Sequence, residues 1–264
     1  MFTKDNLKDL ISNLFYYYRR TVGPRHGVRI LMYHSIGTLL ENRFDNLFTV
    51  DELIFRSQID FMANNNLFEF VKLNKSIMDY GESKLKIAIT FDDGFADNLY
   101  VAAPILLEHS IPFTVFITSD FIEKKYYLNK SEVIELSKLP NVTIGSHGKT
   151  HKPLNFMKNE ELRYELMHSK NTIEDITGKQ VNSISFPSGQ YNKDVIDISK
   201  EVGYEIGATS KFNINRNIAN PLELARNVIM GSDDDAIFTQ KLYGAWDWYK
   251  IWDLYRRIKN IYVK

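Results

Sequence analysis

The stretch Ile87-Ala88-Ile89-Thr90-Phe91-Asp92-Asp93-Gly94 decides how this chain folds. An uncharged run rich in β-branched and aromatic residues ends in two adjacent carboxylates and a glycine. Residues 98–109 follow, with Leu99, Ala102, Ala103, Leu106 and Leu107 at helical spacing. A run this short and apolar, followed by a helical period, predicts a strand buried on both faces and a β-α unit. Comparable runs stand at 28–33, 113–118, 142–145, 183–186, 205–209 and 224–229. Helical patterns occupy 50–64, 162–176 and 194–202, with Gly178 and Gly203 where C-caps belong. Strands alternating with helices predict parallel pairing. About seven such units predict an α/β fold, a distorted (β/α) barrel, with an open doubly wound sheet as the alternative. The asparagine-rich stretch 210–221 lacks a helical period, which predicts irregularity near the C-terminal end of the barrel.

Outside this core, Leu7, Leu10, Ile11, Leu14, Phe15 and Tyr18 predict an amphipathic helix that Gly23-Pro24 ends. At the other end Trp248, Ile251, Trp252, Tyr255, Ile258 and Tyr262 recur at helical spacing among lysines and arginines. The expected organisation is a helical segment over 1–27, a catalytic domain over 28–235 and an aromatic, basic helix over 236–264. That last helix either packs on the barrel or a partner, or lies on an anionic membrane surface as a peripheral contact.

The 264 residues are 44% hydrophobic and 25% charged, ordinary for a globular chain, and 33 basic side chains balance 33 acidic ones. A neutral balance gives no footprint for nucleic acid. With no cysteine there are no disulfides, thiolate ligands or cysteine nucleophile. Asp5 and Asp9 interrupt what would be the apolar part of a secretory signal, and no apolar run approaches the roughly 20 residues of a membrane span. The expected location is cytoplasmic.

Chemistry collects at the strand ends. Adjacent carboxylates repel and shift each other's pKa, a cost that a metal ion offsets; without a metal, Asp92-Asp93-Gly94 is a turn and Asp97 the cap of the next helix. Ser146-His147-Gly148-Lys149-Thr150-His151 places two imidazoles four residues apart just after another strand. Neutral imidazole is a common ligand of zinc and related ions. Both clusters then lie at one end of parallel strands, the end that carries active sites in α/β barrels. Two further strands end in polar residues: Ser183 to Tyr191, running into a Pro-Gly turn, and Ile30 to Ser35, ending at His34. His34 is either catalytic or a structural histidine bonded to backbone. His26, His109 and His168 fall in loop or helix contexts and read as surface residues.

Taken together, Thr90-Phe91-Asp92-Asp93-Gly94, Ser146-His147 through His151, and the Phe186-Pro187 turn resemble the polysaccharide deacetylase family, whose shared part is the NodB homology domain. Met32-Tyr33-His34 is similar to a subset of that family that handles bacterial surface polysaccharides. The resemblance implies a distorted (β/α) barrel that hydrolyses an N-acetyl or O-acetyl group from an acetylated sugar. By position it implies that Asp93, His147 and His151 bind a divalent metal and that Asp92 is the general base. Zinc is the expected ion; cobalt, nickel, manganese and iron suit the same set. The third motif implies an oxyanion-binding backbone amide at Ser188 and substrate contacts from Pro187 and Tyr191. Two family features are missing: Ser185 stands where the family has an arginine, and no histidine follows His168 to supply the late Leu-x-His motif. Arg226, on the last expected strand, is the candidate to hold Asp92 ionised. His34 is the candidate to protonate the leaving group. Two other readings stay open: a hydrolase of another non-peptide C–N bond, and a non-catalytic member that binds glycan or scaffolds a partner.

Overall fold

The computed structural model describes residues 4–24, 26–38, 45–78 and 84–248. Helix α1 (Lys4–Val22) leads into strand β1 (Gly27–Tyr33), then β2 (Ser35–Ile36), β3 (Thr49–Val50), helix α2 (Glu52–Ala63) and β4 (Phe68–Phe70). The chain continues through β5 (Leu85–Phe91), a π-helical turn at Asn98–Ala102, α3 (Ala103–Glu108), β6 (Phe113–Ile117), α4 (Lys130–Lys138), β7 (Val142–Ser146) and α5 (Asn159–Thr177). It ends with β8 (Ser183–Ser185), α6 (Lys193–Glu201), β9 (Ile206–Ala208), β10 (Asn227–Val228) and α7 (Asp235–Tyr243).

The main sheet is parallel, in the order β10-β1-β5-β6-β7-β8-β9. β5 forks the sheet: β4 pairs with its lower half through Phe68↔Leu85, and β6 pairs with its upper half through Ile89↔Phe113. One short segment closes the curl. Leu224 bridges Ala208 of β9, and three residues later Asn227 pairs with Leu31 of β1. The result is a distorted (β/α) barrel. Its irregular part is the stretch 210–221, where Asn215 bridges Val28 and its side-chain amide also serves Val28 and Ala225 in place of a strand.

The strands are apolar on both faces because both are covered. Leu31, Tyr33, Ile87, Ile89 and Phe91 pack outward under Phe55 and Ile59 of α2 and Leu106 of α3. Val28, Ile30, Ala88, Phe116, Ile206, Ala208 and Leu224 form a second cluster inside the curl. With the two-residue period of a strand, Ala88, Thr90 and Asp92 share the inner face. Asp92 therefore looks into the top of the barrel, with 2% of its surface exposed.

Several details differ from the sequence expectations. Residues 49–50 are strand β3, and α2 starts only at Glu52, where Asp51 accepts hydrogen bonds from the Leu53 and Ile54 amides. The last strand is shorter than the apolar run 224–229, because Leu224 pairs on one side and Asn227 on the other. β4 and α4 were not anticipated. β4 is only three residues long, and α4 is signalled less by its apolar pattern than by the capping box of Asn129 and Glu132.

Beyond α7, Asp247 is buried and pairs with buried Arg29 of β1, Oδ2 lying 3.1 Å from Nη2; Arg29 Nη1 also donates to Asn227 Oδ1 at 3.0 Å. Gly244, the left-handed C-cap of α7, is required here: a Cβ would stand 2.6 Å from Arg29 Nη2. Of the aromatic, basic helix expected over 236–264, residues 236–243 lie in α7, which ends at Gly244, and the part beyond residue 248 lies outside the described residues. Among the described residues no helix is long and apolar enough to cross a membrane.

Candidate active site

Asp92 and Asp93 leave β5 in different directions. Asp92 keeps the strand direction, its amide donating to the Tyr33 carbonyl at 3.0 Å. Asp93 adopts φ 75°, a left-handed conformation uncommon for a residue with a Cβ, and this turn carries its carboxylate to the rim. Gly94 follows at φ 82° with Ile117 packed against it.

Arg226 meets Asp92 side-on. Nη1 lies 2.7 Å from Oδ1 and Nη2 2.7 Å from Oδ2, a bidentate pair between two buried side chains. Arg226 Nε donates to the Thr209 carbonyl at 2.9 Å and Nη2 to Ser185 Oγ at 2.7 Å, while Ser185 Oγ donates to Asp92 Oδ2 at 3.0 Å. Ser185 thus stands beside the carboxylate, and the guanidinium arrives from the barrel-closing segment. Burial alone would raise the Asp92 pKa; Arg226, His147 and His34 together hold it well below the usual carboxylate range.

At the rim, Asp93 Oδ1 lies 3.4 Å from His147 Nε2 and 3.2 Å from His151 Nε2. Asp93, His147 and His151 each present one ligand atom, and these atoms lie within 4.8 Å of one another. Asp93 Oδ1 is buried without a hydrogen-bond partner. His147 Nδ1 lies 2.8 Å from the Ser185 carbonyl, which fixes the N–H on that nitrogen and leaves the Nε2 lone pair facing Asp93. Burial, outweighing the two aspartates, pushes the His147 pKa down to about 4, so the ring is neutral near pH 7. An orphaned carboxylate oxygen facing two imidazole nitrogens is a donor set that fits a divalent metal.

In the histidine loop Gly148 takes φ 74°, which glycine adopts freely, and His151 takes φ 63°, uncommon for a residue with a Cβ. One carboxylate holds the loop. Glu165 Oε1, on the buried side of α5, accepts from Lys149 N at 2.9 Å, Thr150 N at 2.6 Å and Thr150 Oγ1 at 2.9 Å. Ser169, one turn on, donates to the Gly148 carbonyl at 2.9 Å. Sequence reading passed over both residues, although Leu162, Glu165, Leu166, Ser169 and Ile173 follow the helical period and put two polar side chains on a core face.

His34 sits at the end of β1, its ring 4.8 Å from that of Phe48 and close enough to lower the pKa of both aspartates. Its backbone carbonyl accepts from Asn98 Nδ2, but ring Nδ1 is buried with no partner. Pro187 is buried and Ser188 exposed at φ 55° in the turn after β8. The Pro187 ring packs against Gly148, which joins this turn to the histidine loop. Tyr191 stacks on Phe186, and its hydroxyl reaches Glu223 Oε1 at 3.0 Å.

The sequence pattern of the family described as Polysaccharide deacetylase matches residues 80–207. A protein of Bacillus subtilis (strain 168), named "Putative polysaccharide deacetylase YxkH", is 28% identical over 185 residues, covering 69% of this chain and 64% of that protein. The chain therefore spans a little under two thirds of that relative's length. Among solved structures, BC0361, a polysaccharide deacetylase from Bacillus cereus, superposes with a TM-score of 0.72 at 25% identity, covering 83% of this chain and 69% of the other. The Streptococcus pyogenes deacetylase PplD in complex with acetate gives a TM-score of 0.72 at 21% identity, over 82% of this chain and 98% of that one, a likeness of fold. With the fold, the matching stretch and the motif residues gathered at one end of the barrel, the chain is similar to the polysaccharide deacetylase family over residues 80–207.

Proposed function

We propose that this protein is a divalent-metal-dependent deacetylase that removes an acetyl group from an acetylated sugar in surface-polysaccharide or glycoconjugate synthesis. The observation that carries the reading is the Asp93, His147 and His151 donor set with ionised Asp92 buried beside it. Zinc is the first candidate, and cobalt, nickel, manganese and iron suit the same ligands. A bound divalent ion polarises the acetyl carbonyl and acidifies water, chemistry that an amide or ester needs because it is a poor electrophile.

The chain's own residues would do the rest. Asp92, kept anionic by Arg226, takes the proton of the attacking water. The Ser188 amide donates to the developing oxyanion; one such donor is typically worth roughly 3–4 kcal/mol. His34, at the same end of the neighbouring strand β1 and with a ring nitrogen unclaimed, delivers a proton to the departing amine or sugar oxygen. Pro187 and Tyr191 form the wall on which the sugar rests.

Elemental mass spectrometry on protein purified without a metal-affinity tag, paired with acetate release from acetylated oligosaccharides, tests the reading. Wild type should hold near-stoichiometric metal and release acetate. His147→Ala/His151→Ala should lose both, and Asp92→Asn should keep the metal and lose the activity. A wild type that takes up no metal after reconstitution would overturn the proposal.

A further inference from the structure

Helix α1 faces its apolar side outward. Leu10, Leu14, Tyr17, Tyr18 and Val22 recur at i, i+4, i+7, i+8 and i+12, so they form one stripe, with Phe15 at its edge, and they are 43–64% exposed. The side that meets the protein is the polar one. Ser12 is fully buried and accepts from Trp248 Nε1 at 3.1 Å, and Asn13 Oδ1 accepts from Gln240 Nε2 at 2.8 Å. The Tyr16 ring, edge-on to Tyr243 at 6.0 Å, adds an aromatic contact on that side. A helix that merely covers its own domain does the reverse. Single exposed apolar residues are ordinary, but a contiguous stripe rimmed by charge marks an interaction surface.

Charge selects the occupant. Arg19 and Arg20 close the last turn of α1. Trp248 meets α1 at Ser12; by sequence alone, residues 249–264 are also net basic. The chain as a whole is neutral, so the two arginines that close α1 stand out against it. A second copy of α1, or the residues beyond 248, would bring like charge onto like charge. An anionic surface meets no such repulsion, and tyrosine, tryptophan and arginine are the side chains that sit well between water and lipid. We propose that the outer face of α1 binds anionic lipid headgroups and their adjoining acyl layer, holding the barrel peripherally on a membrane.

The test is co-sedimentation of the full-length protein with vesicles of phosphatidylcholine alone or mixed with phosphatidylglycerol, at low and high salt. Wild type should partition onto the phosphatidylglycerol vesicles only, and less so as salt screens the arginines. Leu14→Glu/Tyr18→Glu should weaken partitioning by at least about ten-fold, since two buried apolar side chains are lost, while the melting temperature and metal content stay at wild-type values. Arg20→Glu should weaken binding and flatten its salt dependence. Absence of preference for phosphatidylglycerol, or partitioning that Leu14→Glu/Tyr18→Glu leaves unchanged, would overturn the proposal. So would a wild-type dimer that this variant converts to monomer, or a variant with a lowered melting temperature and no vesicle-binding defect. Those two results would assign the face to a second copy and to the chain's own C-terminal residues, respectively.

Discussion

Arg226 grips Asp92 with both terminal nitrogens at 2.7 Å, and it does so from the segment that closes the barrel. The carboxylate and its counter-ion are 134 residues apart in sequence, yet each is pinned by further hydrogen bonds, Asp92 by Ser185 and Arg226 by the Thr209 carbonyl. Breaking one side of such a buried pair leaves the other charge unpaired, at a cost of about 3–5 kcal/mol. Arg226→Ala should therefore lower stability on that scale. It should also change the pH profile. Arg226 depresses the Asp92 pKa, so the ionised, active form persists far into acid; without the guanidinium, burial raises that pKa and the acid limb of the rate profile moves to higher pH. Rates of acetate release across pH check this, and a variant with an unmoved acid limb would show that Asp92 does not depend on Arg226.

Glu165 touches neither Asp92 nor a reacting atom, but one of its oxygens holds the backbone between the two histidines. Partners of ligand residues typically govern metal affinity by about 10–100-fold. Glu165→Ala should weaken metal binding by that factor in a chelator-competition titration, with Glu165→Gln, which keeps an accepting oxygen, in between. The cobalt-substituted visible spectrum should shift in the alanine variant. Unchanged affinity and spectrum would reduce Glu165 to a fold-stabilising residue.

Asp97 links pH to stability. Burial pushes its pKa up to about 6, although Ser35 Oγ at 2.7 Å and Asn98 Nδ2 at 3.0 Å donate to it. A raised carboxyl pKa favours the protonated folded form, so the contribution is fully present below the unfolded value and is lost as pH rises through the folded one. Between about pH 4 and 6 the wild type should lose on the order of 3 kcal/mol from this group relative to Asp97→Asn. Urea unfolding of both proteins at several pH values measures the difference; parallel stability curves would refute it.

The Arg29–Asp247 pair predicts damage of another kind. Both side chains are buried, and the pair ties β1 to the residues after α7. Asp247→Ala should lower the melting temperature as the loss of about 3–5 kcal/mol requires. It lies outside the strand-end site, so the folded fraction should keep wild-type metal affinity. A selective loss of metal binding without thermal destabilisation would contradict this assignment.

Much of the fold was legible in local sequence. The runs of β1, β5 and β6 are continuous and apolar because helices cover one face and the barrel interior the other, and each reads directly as a buried strand. The short β4 gives no period to read, and the stretch 210–221 holds its place through Asn215 side-chain hydrogen bonds that no local pattern announces. At the site, Asp92, Asp93, His147 and His151 are visible as pairs at strand ends. Arg226 could be singled out because Ser185 left a basic position vacant, and the structure puts its guanidinium on Asp92. Glu165 was missed because a lone acid in a charged helix resembles a solvated one; only packing shows that its side of α5 faces inward.

Barrel closure has a consequence for synthesis. As the chain is made from its N-terminus, Asp92, Asp93, His147 and His151 all emerge well before residue 226, and the barrel is then still open between β9 and β1. A nascent chain at that stage carries the motif residues but lacks the guanidinium that keeps Asp92 anionic. The segment that seals the barrel also brings the guanidinium to Asp92, so this buried ion pair forms only as the barrel closes.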